Sequence, residues 1–460
     1  MRFVDRGSPQ SRLRTILYLA SVTLALLLTN ALILSIGGTD AGLALAANNL
    51  VTPTWVIKEV TRRLVNNWKF ANNVNREYDD QYQQAGAKMG DTVKARLPQR
   101  YIVNKGAALV IQDANDRTVD ITITDQANVG IQFNSASLTL DVDSYRERYI
   151  APAVEALVNT VDYDGLSRMY KKVFLTVGTP AVVPGSTGTL PQAANDVYLG
   201  AGVRLSEQAV PKPWKAMLTP NMHAYLVSAN TGLFSPAADV GKRWKSGQFG
   251  EMALGVDQWF MDQNVATHTV GALGSTPLIN GAAQTGSSLT ADGAGGAVTN
   301  YFLEGDVIQL AGVRSVNPMS YQSTGRLLDF VVTANVTSDG SGNLTIPIYP
   351  AITTSGALQT VTASPADNAA ITTFGHASTY AAAITPQGLL YHQDAFALVM
   401  ADLELPGGLW VAERISNKAL GISVRFLKDY NIMSDQSPAR LDLLYGWSAV
   451  RQELACRIAS

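Results

Sequence analysis

A histidine and an aspartate lie two residues apart in the apolar segment GLLYHQDAFALVMADLELP, residues 388–406. An imidazole next to a carboxylate is the pairing that a general base requires. Such a base also needs a nucleophile, an oxyanion-binding loop or a second acid within reach, and this segment supplies none of them. We therefore expect His392 to have a structural role, with its ring hydrogen-bonded to Asp394 or to the backbone.

No familiar catalytic or nucleotide-binding motif occurs elsewhere in the chain. The sequence contains no G-x-x-x-x-G-K-[ST], H-E-x-x-H, G-x-S-x-G or G-x-G-x-x-G pattern and no EF-hand loop. Its four histidines are scattered singly, so no local pair is present to bind a metal. The acids of DYDG, residues 162–165, carry oxygen ligands for a cation, but their spacing is more typical of a solvated helix end. The sequence predicts no cofactor, no metal site and no enzymatic activity.

The charge of the chain gives no sign of a nucleic-acid or membrane ligand. Its 35 basic and 37 acidic residues leave a net charge of -2. No basic run accompanies Trp214, Trp244, Trp259 or Trp410, so these rings are predicted to be core or interface anchors rather than a base-stacking platform. Charged residues make up only 16% of the chain, which indicates that much of its surface is covered by association. We expect an oligomer.

Cys456 is the only cysteine, so the chain has no partner thiol for an intrachain disulfide. A thiolate zinc site is excluded for the same reason, and folding in a cytosolic compartment fits best. Cys456 itself is expected to be a small buried hydrophobe.

Residues 1–45 have the layout of a targeting segment. A basic head precedes a run from Thr15 to Thr39 that carries no charge, and Ala44, Leu45 and Ala46 form an A-x-A-like cleavage pattern. The run is long enough to span a membrane. Three interpretations stay open: a real signal or anchor, a mis-called start that adds upstream sequence, and a buried helix.

The sequence also predicts the helices and strands that position any functional residues. Apolar residues at helical spacing predict a helix over 54–70 in an N-terminal arm of residues 46–90. Alternating segments predict a long two-stranded excursion over 91–142, with Lys105 and Gly106 at its turn. A long helix is predicted over 144–174; Pro152 and Gly165 are the places where it can bend.

The composition and the predicted elements change twice in the second half of the chain. Residues 181–268 mix short helices and strands, and residues 269–385 are rich in Gly, Ala, Ser and Thr with strand-like segments between turns. At residue 386 the earlier style resumes. An all-β, barrel-like domain inserted into an α+β body explains both changes.

Several stretches, in this order, resemble the major coat proteins of P22-like tailed bacteriophages, which adopt the Hong Kong 97 capsid fold. GDTVKARLPQRYIV and TVDITITDQANVGIQFNSASLTLDVDSYRERYIAPAVEAL resemble the extended E-loop that leads into the spine helix. GDVIQLAGVRSVNP resembles part of the inserted β domain, and GLLYHQDAFALVMADLELP resembles the strand that returns from it.

The resemblance implies a structural protein that assembles with copies of itself into an icosahedral shell. It further implies a scaffolding protein, a portal protein and non-specifically packaged double-stranded DNA as partners, and assembly in the bacterial host cytoplasm. Lys105 and Gly106 become the expected E-loop tip, and residues 143–180 and 181–268 the spine-helix P-domain and the first part of the A-domain. Residues 386–460 complete both domains, and a membrane partner is expected only if the leader is real. The alternative is an exported or membrane-anchored β-rich surface protein.

Overall fold

A computed structural model describes residues 68–76, 92–107, 109–112, 117–134, 151–186, 191–229, 253–374, 383–417, 422–434 and 436–460. All of them belong to one compact unit, Val56–Ser460. The leader of residues 1–45, almost all of the helix expected over 54–70 and most of the connector after it lie outside the described residues.

The described residues form three α-helices: α1 (Ala151–Met169), α2 (Pro191–Glu207) and α3 (Pro220–Ala229). Helix α1 lies inside the helix expected over 144–174, and a 3-10 turn, Tyr170–Lys172, continues it. Its apolar residues recur every three or four positions, so they share one buried face: Val154, Leu157, Val158, Val161, Leu166 and Met169.

The strands in the described part of the chain alternate with these helices and then dominate the second half. They are β1 (Thr92–Leu97), β2 (Arg117–Thr122), β3 (Asp125–Asn134), β4 (Leu175–Gly178), β5 (Trp214–Leu218), β6 (Gln258–Met261), β7 (Thr267–Thr269), β8 (Leu278–Ile279), β9 (Gly286–Asp292), β10 (Val307–Val316), β11 (Ser323–Val332), β12 (Leu344–Ile352), β13 (Ile371–Thr373), β14 (Ile384–His392), β15 (Phe396–Met400), β16 (Val411–Asn417), β17 (Ile422–Lys428), β18 (Gln436–Ala449) and β19 (Ala455–Ala459).

Strands β1 and β2 form a two-stranded antiparallel ribbon. We call residues 92–122, the ribbon with its connection, the arm. The next strand, β3, does not extend the ribbon: it runs antiparallel to β18 along its whole length, from the pair Asp125↔Tyr445 to the pair Asn134↔Gln436. An alternating sequence predicts a strand with one buried face but does not name the strand it pairs with, and so the expected excursion over 91–142 is divided between the arm and a body sheet.

The inserted domain contains a six-stranded sheet in the order β13-β10-β11-β12-β9-β8. Its two edges meet, because Leu278 of β8 bridges to Ala370 beside β13 and the Ile279 amide donates to the Ala369 carbonyl at 2.9 Å. The sheet is therefore nearly closed, as expected for a barrel-like domain. Its entry and exit are adjacent, since β7 pairs with the first residues of β14, Ile384 to Pro386.

Two further sheets build the body. One has the order β4-β19-β14-β5-β6, with β7 joined to β14, and the other has the order β15-β18-β17-β16, with β3 joined to β18. The segment GLLYHQDAFALVMADLELP therefore holds two strands, not one: β14 ends at His392 in the first sheet, and β15 begins at Phe396 in the second. Both strands are buried on both faces, which explains why their apolar residues run together instead of alternating.

Candidate assembly surfaces

His392 and Asp394 lie at the 3-10 turn, Gln393–Ala395, where the chain crosses from one body sheet to the other. The Asp394 amide donates to Nδ1 of His392 at 3.2 Å. The Asp394 carboxylate accepts from the Asn75 side chain at 3.0 Å, and burial lowers the pKa of His392. A neutral imidazole that accepts a backbone amide is a structural cap, in agreement with the expectation from sequence.

The connection between β1 and β2 exposes an unusual amount of apolar surface. Tyr101, Val103, Leu109, Val110 and Ile111 are between 56% and 87% exposed. Apolar side chains concentrated on one exposed loop mark a contact surface for another protein. We call residues 101–111 the arm loop.

Lys105 and Gly106 lie in the middle of the arm loop, and both are exposed. Gly106 has a φ of +141°, a backbone conformation that favours glycine, and a side chain here would meet no atom within 4 Å. The two residues lie between β1 and β2, where a turn was expected; their role as the tip of an E-loop stays a prediction.

The base of the arm is fixed in the body. Ala95 of β1, with Ile121 and Ile123, packs in a buried cluster with residues of β15 and β18. At Gly446 of β18, a Cβ atom would come within 2.2 Å of the Thr122 carbonyl oxygen, so only glycine permits this crossing. The arm loop is therefore presented from a rigid support.

Polar contacts hold the arm loop in shape. Gln112 bridges its two sides, accepting from the Ile102 amide at 2.9 Å and donating to the Ile102 carbonyl at 2.6 Å. The Arg100 guanidinium lies 3.4 Å from Glu453 of the body, and the Tyr321 hydroxyl of the inserted domain donates to the Tyr101 carbonyl at 3.4 Å. The loop is thereby oriented against both the body and the inserted domain.

A second exposed apolar surface lies at one end of the β15–β18 sheet. Trp410, Tyr430, Ile432 and Met433 are between 41% and 94% exposed, in the loops before β16 and between β17 and β18. We call these four residues the sheet-end patch. Trp410 was expected to be a core or interface anchor, and its exposure excludes the core.

The inserted domain is joined to the body through buried polar groups. Asp306, which follows the turn at Leu303, accepts from Nε2 of His268 at 2.8 Å and from the amides of Gly271 and Leu303 at 3.1 and 2.7 Å. Burial lowers the pKa of His268, which favours the neutral ring. Nε2 faces the carboxylate and therefore carries the proton, so Nδ1 accepts from the Tyr170 hydroxyl at 3.2 Å. The carboxylate is thus satisfied by three donors.

Arg457 and Asp329 extend this joint. Arg457 of β19 donates to the Gly305 carbonyl at 2.8 Å, and burial lowers its pKa to about 10. Asp329 of β11 is fully buried, which raises its pKa, and it lies 3.4 Å from Arg204 of α2. It also accepts from the Thr176 amide of β4 at 3.2 Å. No sequence motif marks these residues, because they lie on distant segments that only the folded chain brings together.

The two expected bend points of the helix are both in α1. Pro152 is its second residue, and Gly165 lies in its last third, where a Cβ atom would come within 2.5 Å of the Trp447 ring. Gly165 thus has a packing role that its sequence context did not reveal. Whether the helix bends at either residue stays a prediction.

The described residues contain no group of three or more His, Cys, Asp or Glu side chains that could hold a metal ion. Within the same residues, none of the helices combines the length and apolar character that crossing a bilayer takes.

Comparison with known proteins yields one family and several structural likenesses. Among solved structures, Mycobacterium phage Che8 is 13% identical, with 85% of this chain and 90% of that chain covered and a TM-score of 0.42. The capsid of Ralstonia phage GP4 is 9% identical, with 85% and 88% covered and a TM-score of 0.40. The CUS-3 coat protein I-domain is 23% identical over 23% of this chain and 100% of its own, with a TM-score of 0.17.

All three likenesses have TM-scores below 0.5, and no curated protein matches the chain. The family follows from the sequence itself, because the model described as P22 coat protein - gene protein 5 matches residues 45–456. The chain therefore belongs to the P22 coat protein family, and it is a structural capsid protein that assembles with copies of itself into the shell of a phage virion.

Proposed function

We propose that the arm loop is the principal docking element by which one subunit overlaps the next in the shell. The supporting observation is its combination of five exposed apolar side chains with a base that is buried in the body. A loop on a rigid base loses little conformational entropy on docking, so its apolar area contributes more fully to association. The N-terminal arm, residues 46–90, overlaps neighbouring subunits in the same way.

The domain plan of the subunit follows that of the family. In this proposal the E-loop segment is 91–142, of which β3 pairs with β18 of the body. The P-domain with its spine helix is 143–180, the first part of the A-domain is 181–268, the inserted domain is 269–385, and 386–460 returns to both domains. Lys105 and Gly106 form the E-loop tip. The spine helix bends at Pro152 and Gly165 where shell curvature differs between assembly states.

The remaining partners and the setting are proposals of the same kind. A scaffolding protein and a portal protein guide assembly in the bacterial host cytoplasm, and the shell encloses double-stranded DNA without specific contacts. A net charge of -2 suits this lining, because few phosphate contacts mean little salt-dependent adhesion. The chain acts without a cofactor and catalyses no reaction.

The test substitutes charge for apolar area on the arm loop. Val103→Asp, Leu109→Asp and Ile111→Asp are each expected to leave the fold intact, because these side chains are more than 80% exposed, and to abolish shell formation. Leu109→Met is the matched control, since it keeps the apolar area. Thermal unfolding shows whether each variant is folded. Electron microscopy and sedimentation measure the yield of shells. Wild-type shell yields in all three aspartate variants would contradict the proposal.

A further inference from the structure

One stretch of the N-terminal arm, residues 68–76, is buried in a socket of the body. We call residues 68–76 the root segment. The carboxylate of Asp162, on α1, accepts three consecutive backbone amides of this segment: Lys69 at 2.9 Å, Phe70 at 3.3 Å and Ala71 at 3.0 Å. Asp162 is only 1% exposed. One side chain of helix α1 therefore fixes the backbone direction of the root segment within the N-terminal arm.

The Phe70 side chain fills the apolar part of the socket. It is fully buried and stacks on Trp447 at a centroid distance of 5.1 Å. Tyr391 packs against its edge at 5.6 Å, and Phe396 packs at 5.8 Å. These three partners come from β18, β14 and β15, so a single ring contacts both body sheets.

The far end of the root segment is tied to the crossover between the sheets. The Asn75 amide donates to the carbonyls of Gln393 and Phe396, both at 3.1 Å, and the Asn75 carbonyl accepts from the Leu398 amide at 3.1 Å. The Lys69 ammonium donates to the Met261 carbonyl at the end of β6, at 2.8 Å. The root segment is thus attached to the helix and to both sheets at once.

Burying a charged carboxylate at this position costs free energy, because the group loses its hydration. Burial raises the pKa of Asp162 to about 6 and Asp262 nearby adds to the increase, while the three amides oppose it. Two oxygens are nevertheless what the three unpaired amides at the start of the 3-10 turn Ala71–Asn73 need, and no neutral side chain supplies as many acceptor sites. Core packing alone, which Phe70 already provides, does not require this residue.

We propose that the Asp162 socket is the positioning site of the N-terminal arm: by fixing the backbone of residues 69–71, it orients the arm for contact with a second copy of the chain. The socket closes within one subunit, before any contact with another, and shell assembly requires it closed. This inference rests on the proposed overlap of the N-terminal arm with neighbouring subunits.

The experiment compares full-length Asp162→Ala and Asp162→Asn with Glu155→Ala, an exposed acid on the same helix. Hydrogen exchange is followed at the root segment and at the core strands β14 and β18, and shells are counted by electron microscopy. Asp162→Ala is expected to raise exchange at residues 69–71 by about tenfold or more, with core exchange unchanged, and to reduce shell yield by a similar factor. Glu155→Ala is expected to behave as wild type.

Two outcomes would overturn the inference. One is a root segment that stays protected in Asp162→Ala; the other is a released root segment with a wild-type yield of correctly sized shells. If Asp162→Ala does not fold, Asp162→Asn decides, because it keeps one acceptor oxygen and is expected to show the same two effects to a smaller degree; unchanged exchange and yield would overturn the inference. A negative result for Asp162 would not contradict the proposed docking role of the arm loop, because the aspartate variants of that loop test it separately.

Discussion

Nε2 of His268 lies 2.8 Å from Oδ1 of Asp306, and both side chains are buried. His268 belongs to β7, the last strand of the body before the chain enters the inserted domain. Asp306 belongs to the inserted domain itself. The pair therefore joins two parts of the subunit, together with the β7–β14 stem and the contacts of Arg457 and Asp329. Hydrogen bonds to a buried carboxylate are worth more than their exposed equivalents, because a lost partner leaves a desolvated charge behind.

Removing this carboxylate should loosen the inserted domain. Asp306→Ala leaves the amides of Gly271 and Leu303 and the His268 ring without an acceptor, and we expect it to reduce the free energy of unfolding by about 2–4 kcal/mol. Glu304→Ala is the matched control: its pairing with Lys172, at 2.9 Å, is partly exposed, so the loss should stay below about 1 kcal/mol. Denaturant unfolding of both variants checks the difference, and equal losses would show that Asp306 is not a special anchor.

Gly165 should tolerate no side chain while Trp447 is present. Gly165→Ala places a Cβ atom 2.5 Å from the Trp447 ring, and we expect a loss of about 1–3 kcal/mol. The double variant with Trp447→Leu should lose less than the sum of the two single variants, because the smaller side chain removes the clash.

The control for this glycine lies on β3. In Gly130→Ala the added Cβ atom meets no atom within 4 Å. The free energy of unfolding should therefore change by no more than about 0.5 kcal/mol. If the losses in the Gly165→Ala and Trp447→Leu variants simply add up in the double variant, the packing explanation is contradicted.

The stability of the subunit should depend on pH through Asp162. Burial raises the pKa of this group from 3.8 to about 6, and Asp262 and Tyr391 are the titratable groups that face it. As pH rises, the unfolded chain releases the proton first, so the free energy of unfolding falls between about pH 4 and pH 6 and then levels off. The contribution is at most roughly 3 kcal/mol.

Asp162→Asn has no proton to release and should lack this part of the pH dependence. Measuring the free energy of unfolding of both proteins between about pH 4 and pH 7 isolates the group as the difference between the two curves. Parallel curves would show that Asp162 keeps its ordinary pKa in the folded subunit.

Trp410 should report on assembly through its exposure. It is 66% exposed in the subunit, within the sheet-end patch, and Lys428 lies 5.0 Å from its ring centroid. If the patch is covered in the shell, collisional quenching of Trp410 should fall several-fold on assembly. Trp447, at 8% exposure, is the internal comparison and should change little. The difference between the wild type and Trp410→Phe isolates the Trp410 signal from that of the other six tryptophans, and unchanged quenching of Trp410 would place the patch on an open face of the shell.

Much of the architecture was accessible from the sequence. The α+β class, the nearly closed β domain inserted into the body and the Hong Kong 97 type of capsid fold are confirmed, and the family match gives no support to the alternative of an exported surface protein. Local signals account for this success: the apolar residues of α1 recur at helical spacing, and the inserted domain differs in composition from both of its flanks.

The sequence was less informative wherever a pairing partner mattered. It predicted one strand in GLLYHQDAFALVMADLELP, whereas β14 and β15 enter different sheets, and it grouped β3 with the arm, whereas β3 pairs with β18. Strand periodicity specifies which face is buried and leaves the partner open.

Composition and residue order establish what kind of surface this chain has: few charges, no familiar catalytic motif, and helices and strands whose apolar faces must pack against neighbours. The positions of the critical polar contacts depend on the three-dimensional fold. Asp162 meets the amides of residues 69–71, and Asp306 meets His268, because segments far apart in sequence converge in the core. A buried carboxylate is satisfied by whichever donors the fold brings within about 3 Å, and such donors carry no signature in the order of residues along the chain.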